Sequence, residues 1–210
     1  MALLDVNKLS IHFGGVKAVQ EVSFSIDAGI VYAVIGPNGA GKTTLFNLIT
    51  GVYKPTSGEI RLDGESIGGK SPNELATRGV ARTFQNLQIC MNMSAIENVM
   101  VGAHLRLDRN LLKAALRLPT LTRRDAEMRV EAAELMRFVG LEKYIEARAD
   151  SMPYGALTRL EIARALAMKP RLLFLDEPAA GLNPKETLEI DELIRKLAES
   201  GITVVLVEHD

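Results

Sequence analysis

Ile30-Val31-Tyr32-Ala33-Val34-Ile35-Gly36-Pro37-Asn38-Gly39-Ala40-Gly41-Lys42-Thr43-Thr44-Leu45 is the stretch on which the fold turns. Residues 30–35 form a continuous apolar run of strand length. Residues 36–43 match G-x-x-x-x-G-K-[ST], and Leu45, Leu48 and Ile49 then repeat at the spacing of a helix. Strand, glycine-rich loop and helix in that order make a P-loop. The glycines let backbone wrap closely round a phosphate with its N–H groups pointing inward, and the helix N-terminus adds the positive end of its dipole. In such a loop Lys42 reaches the β- and γ-phosphates, the Thr43 hydroxyl sits on Mg²⁺, and Thr44 can contact the α-phosphate.

The complementary half lies far along the chain. Leu172-Leu173-Phe174-Leu175-Asp176-Glu177-Pro178 is an apolar strand ending in carboxylates, which places Asp176 at the carboxyl end of a sheet, where open α/β folds bind ligands. Asp176 suits Mg²⁺ coordination through water. Glu177 points differently and is placed to polarise an attacking water as a general base.

The rest of the chain falls into three stretches. Residues 1–85 are strand-rich, with Val22-Ser23-Phe24-Ser25-Ile26 alternating as a half-buried strand and turn signals at Lys54-Pro55, Ser57-Gly58 and Asp63-Gly64. Residues 86–153 read as helix: Met128, Ala132, Leu135, Met136 and Val139 make an apolar stripe for core packing, and the run 117–129 is a solvated face. From Leu157 onward helix and strand alternate. Asn183 caps a helix with Pro184 first and Glu186 at the capping-box position, Ile190, Leu193, Ile194 and Leu197 form its buried stripe, and Ile202 to Val207 is an all-apolar strand. No internal repeat interrupts this order. The fold class is α/β with a helical insertion.

Composition narrows the function. With 210 residues, 25 basic against 26 acidic side chains and 47% hydrophobic residues, the chain can bury a sizeable core and lacks the basic excess of a dedicated nucleic-acid binder. Cys90, the only cysteine, cannot form an internal bridge and fits a reducing cytoplasm. The N-terminus does not read as a signal peptide, and no apolar run approaches the roughly 18 residues of a membrane span.

The P-loop, the Asp176-Glu177 pair and the segment Arg159-Leu160-Glu161-Ile162-Ala163-Arg164-Ala165-Leu166 together resemble the ATPase subunits of ABC transporters over the whole chain. The resemblance implies a P-loop ABC ATPase core with an N-terminal antiparallel β part. It puts residues 1–85 and 156–210 in that core and residues 86–155 in a helical subdomain with the signature loop. It implies that Phe13 stacks on adenine, although Phe13 also reads as a core residue of the first strand. It further implies that Gln85 contacts Mg²⁺ and the attacking water, and that His209 is the switch histidine touching the γ-phosphate. Residues 175–187, with Phe13-Gly14-Gly15 and Arg82-Thr83-Phe84-Gln85-Asn86, look like the ATP-binding subunits of branched-chain amino-acid importers. Such subunits use ATP and Mg²⁺, pair with a second ATPase subunit as a homo- or heterodimer, and sit peripherally on the cytoplasmic face beneath two membrane permeases. A periplasmic binding protein feeds those permeases, and no nucleic acid takes part.

Two departures stand out against that pattern. The signature loop falls on Met152-Pro153-Tyr154-Gly155-Ala156, where Pro153 replaces Ser and Ala156 replaces Gln. Because this loop closes over the partner's ATP and Pro153 has no donor, the site it completes is expected to be weakened, and restoring Ser and Gln should raise turnover. Relatives also continue past the switch histidine, so the chain reads as truncated there, with strand 202–207 losing a covering neighbour. The apolar residues Leu87, Ile89, Cys90, Met91 and Met93 read either as an exposed permease contact or as subdomain core.

The alternatives are a GTPase or kinase, a non-transport ABC ATPase, and a nucleotide-binding fragment without productive turnover. A GTPase needs Asn-Lys-x-Asp after the P-loop, and Asn7-Lys8 precedes it and lacks the Asp. A kinase has no need of Gln85 or the segment 155–166. Non-transport relatives carry long coiled coils or paired ATPase domains, whereas this chain has one P-loop.

Overall fold

The computed structural model describes residues 2–106 and 119–208. The chain forms two compact units, Met1–Gln85 with Pro170–Asp210, and Asn86–Lys169. In chain order the first unit contains β1 (Ala2–Phe13), β2 (Val16–Asp27), β3 (Val31–Ile35), α1 (Lys42–Ile49), β4 (Ser57–Leu62), β5 (Glu65–Ser66), α2 (Pro72–Thr77) and β6 (Val80–Arg82). The second contains α3 (Ala95–Gly102), α4 (Pro119–Phe138) and α5 (Tyr154–Leu166). The chain then returns to the first with β7 (Leu172–Asp176), α6 (Pro184–Glu199) and β8 (Thr203–Glu208).

The first unit has an antiparallel sheet in the order β2-β1-β4-β5 and a second sheet in the order β3-β8-β7-β6, whose described pairings are all parallel. One apolar cluster joins them, with Leu4, Ile26 and Ile60 from the antiparallel sheet, Phe46 and Leu48 from α1, and Phe174 and Val207 from the parallel sheet. Phe46 and Phe174 meet edge to face at 4.9 Å, and neither is exposed. Each such side chain contributes about 1.5–3 kcal/mol through burial. Both faces of β7 are covered, which is why its sequence is apolar throughout.

Among the described residues β3 pairs with β8 alone, and Val31 is 42% and Ile35 63% exposed. The run 202–207, expected to lose a covering neighbour, is β8, which sits between β3 and β7 with Thr203, Val204, Val205 and Val207 buried. Apolar runs of this length look the same at an edge and in the middle; pairing decides which is which. The cap of α6 is as expected: Asn183 Oδ1 accepts from the backbone N–H groups of Lys185 and Glu186, and Glu186 Oε2 accepts from Asn183 N at 3.1 Å.

In the second unit α5 packs against α3 and α4. Gly102 makes the first of these contacts possible, because a Cβ there would land on the Arg164 carbonyl oxygen. The compact units divide at 169/170, and α5, with Leu160, Ile162 and Ala163 buried, lies in the helical one. The Arg106 guanidinium forks onto both carboxylate oxygens of Glu131 at 2.8 and 2.9 Å. Of the five apolar residues between 87 and 93, only Met91 is exposed; Ile89 is buried, and Asn98 brackets the Cys90 backbone by accepting from its N–H and donating to its carbonyl. The permease contact expected there thus has one exposed apolar side chain. Among the described residues no helix is long and apolar enough to cross a membrane.

Candidate functional site

The loop between β3 and α1 is built for close approach. Gly41, the N-cap of α1, has φ 88°, and a Cβ on it would stand 2.5 Å from the Ala18 carbonyl oxygen of β2. Only glycine meets both conditions. The first turn of α1 has no side-chain cap and no acidic residue, so its N–H groups and dipole face an anion without internal competition. The buried Lys42 side chain donates to the carbonyl oxygens of Gly36 and Pro37, which holds its ammonium over the loop.

A cleft of about 500 Å³ opens over this loop, the size of an ordinary small-molecule site. It is lined by the loop from Pro37 to Thr44, by Val16, Lys17 and Ala18 of β2, and by Gln85 and Glu177. Gln85 Nε2 donates to Glu177 Oε2 at 3.2 Å. Glu177 adopts a left-handed backbone conformation, φ 51°, and its N–H donates to Val207 O at 3.2 Å. Left-handed backbone at a non-glycine residue costs about 1–3 kcal/mol, and such strain clusters where a side chain must be aimed. Here it turns the Glu177 carboxylate into the cleft directly after β7.

Asp176 behaves differently. Its side chain is 5% exposed and pairs with Arg82, whose NH2 donates to Asp176 Oδ2 at 2.8 Å. The hydroxyl of Thr43, the Gln85 amide and the Asp176 carboxylate are hard oxygen donors. So small a set fits Mg²⁺, which keeps waters and shares its shell with substrate phosphates.

Phe13 lies outside the cleft lining, half exposed, with its ring edge to face with Tyr53 at 5.2 Å, which makes it no core residue of β1. Gly36 contributes a carbonyl to Lys42 and does not line the cleft. In the helical unit Pro153 is the N-cap of α5 without a side-chain cap bond; Pro153 and Tyr154 are exposed, whereas Gly155 and Ala156 are buried. Position 156, where the sequence suggested restoring Gln, is therefore a buried one. His209 lies outside the described residues. Sequence reasoning missed Lys17 and its neighbours, and Arg82. The first set follows directly on Phe13-Gly14-Gly15, a legible turn; for Arg82 no local signal existed.

Comparison with known proteins bears on the same residues. Residues 19–180 match the ABC transporter family. The chain is 46% identical over 209 residues to the high-affinity branched-chain amino acid transport ATP-binding protein BraF of Pseudomonas aeruginosa, covering 99% of this chain and 82% of that protein. It is 44% identical, with the same coverage, to LivG of Escherichia coli, which carries the same description. Among solved structures it resembles the ADP conformation of MJ1267, an ATP-binding cassette of an ABC transporter, with TM-score 0.86 and 32% identity over 100% of this chain and 82% of that one.

Proposed function

The chain belongs to the ABC transporter family, and from that premise we propose that it is the ATP-hydrolysing subunit of an importer for branched-chain or related amino acids. The observation that carries this reading is one cleft holding the phosphate loop, Gln85 and Glu177 together, in a chain 46% identical to BraF. The loop N–H groups and Lys42 bind the phosphates, Thr44 adds a hydroxyl, and Phe13 stacks on the base. Thr43 and Asp176 hold Mg²⁺, which when bound neutralises phosphate charge and aligns the phosphates. Glu177 accepts the proton of the attacking water, Gln85 orients that water, and the bond from the γ-phosphorus to its bridging oxygen breaks to leave ADP and phosphate. His209 is assigned to the γ-phosphate.

The working assembly in this reading is two ATPase subunits, each closing its 153–156 loop over the other's ATP, docked on the inner face of the membrane under two permeases fed by a binding protein. The test is ATP hydrolysis and amino-acid uptake by the complex reconstituted with its permeases. Glu177→Gln should lower turnover about 100-fold or more, a general base being worth roughly 10²–10⁴, while ATP still binds. Hydrolysis surviving that change would overturn the assignment of Glu177. Uptake indifferent to leucine, isoleucine and valine would overturn the substrate class and leave the ATPase standing.

A further inference from the structure

We infer that Arg82 is a positioning residue of the nucleotide site, holding Asp176 by one carboxylate oxygen and tying it to the phosphate-loop helix and to the segment that carries Gln85. The inference rests on the ATP–Mg²⁺ reading above. Arg82 ends β6 and pairs in register with Phe174 of β7, which brings its side chain alongside Asp176. NH2 donates to Asp176 Oδ2, while NH1 donates to Asn47 Oδ1 at 2.6 Å and to Thr50 Oγ1 at 3.0 Å. Thr50 in turn donates its hydroxyl to Phe46 O at 2.7 Å, so its oxygen faces Arg82 as an acceptor with a fixed direction. The guanidinium carbon lies 5.1 Å from the Phe84 ring centroid and 5.8 Å from that of Phe46. Phe84 immediately precedes Gln85.

One planar cation thus contacts α1, the end of β7 and the approach to Gln85. Stability of the core is weak ground for such a pair, because a buried ion pair replaced as a whole by well-packed apolar residues is often neutral or stabilising. The arrangement even carries a cost, because Arg82 Nε is buried with no hydrogen-bond partner among the described residues. What the pair does, and an apolar pair cannot, is fix the direction of a carboxylate at the mouth of the sheet. Arg82 engages Oδ2, and among the described residues Oδ1 takes no hydrogen bond, which presents one oxygen to the water shell of a cation. Groups that orient a metal's carboxylates in this way are typically worth about 10–100-fold in metal affinity.

The experiment measures binding of a fluorescent ATP analogue to the wild-type chain, R82M, R82K, D176N and R82M/D176N, each in EDTA and in Mg²⁺, with Mn²⁺ electron paramagnetic resonance as a second readout. R82M should keep affinity in EDTA within about twofold and lose about tenfold or more of the affinity that Mg²⁺ adds. R82K, with charge but no fork, should fall between R82M and wild type, and its Mn²⁺ spectrum should shift. The double variant should be no worse than D176N, because Arg82 acts through Asp176. Thermal melts in EDTA identify an unfolded R82M, in which case R82K decides. A wild-type Mg²⁺ gain in R82K and any folded R82M, or additive losses in the double variant, would overturn the inference. No Mg²⁺ gain in the wild type would overturn the site reading itself and this inference with it.

Discussion

Glu177 holds a left-handed backbone, φ 51°, that an L side chain rarely adopts, and it does so where the chain leaves β7. Replacing it with glycine should raise thermal stability by about 1 kcal/mol, because the strain disappears, and should abolish hydrolysis, because the carboxylate does. A melting curve and an ATPase assay on the same preparation check both halves; a glycine variant less stable than wild type would mean that the side chain's own contacts outweigh the strain. Position 153 is exposed and position 156 is buried, so the two departures in the signature loop separate. Pro153→Ser should raise turnover of the assembled complex about tenfold or more, since one charge-assisted hydrogen bond is worth about 1.5–3 kcal/mol. Ala156→Gln should instead destabilise the helical unit by about 1–3 kcal/mol through overpacking. Steady-state kinetics decide the first and denaturant unfolding the second.

At the scale of elements, the contact between α3 and α5 depends on the missing side chain of Gly102. Gly102→Ala should cost more than the roughly 1 kcal/mol that alanine gains by helix propensity, giving a net loss in urea unfolding; a more stable variant would show that the helices can separate freely. The Arg106–Glu131 clamp makes a second element-scale prediction. Hydrogen bonds from Arg106, aided by Lys169, hold the Glu131 carboxyl below the usual carboxylate range. A folded-state pKa that is depressed stabilises the unit above the unfolded value of about 4.3, and that stability is lost as pH falls through the folded value. With the Glu131 side chain 30% exposed, the contribution is modest, about 1 kcal/mol. Glu131→Gln should therefore lower stability at pH 7 and flatten its fall below about pH 4, as read by melts across that range.

For the whole molecule, the first unit alone contains the cleft, and both of its sheets share one core. Ligand binding there should stabilise the fold by mass action: at a hundred times Kd, ATP should add about 2.7 kcal/mol. Lys42→Met should remove most of that gain, as read by melts with and without ATP, because the ammonium held over the loop by the Gly36 and Pro37 carbonyls is lost. An undiminished gain would show that the ammonium does not meet the phosphates.

Much of this was legible in the sequence, for reasons that are local. The phosphate loop shows itself because backbone N–H groups can converge on a phosphate only where glycines stand at set positions and a helix follows. The Asn183 cap, the apolar β7 and the aimed Glu177 are equally written in neighbouring residues. Two further caps, Ser71 with Glu74 and Ser94 with Glu97, carry the same S-x-x-E signal and form full capping boxes, although the sequence reading passed over them. Tertiary structure alone decided that β8 sits between β3 and β7, that α5 packs with α3 and α4, and that Arg82 pairs with Asp176 across 94 positions of chain. Hydrophobic pattern and spacing state which side chains must leave water; they do not state which partners, distant in the chain, will meet them there, because that choice is made by the packing and hydrogen bonding of the whole core.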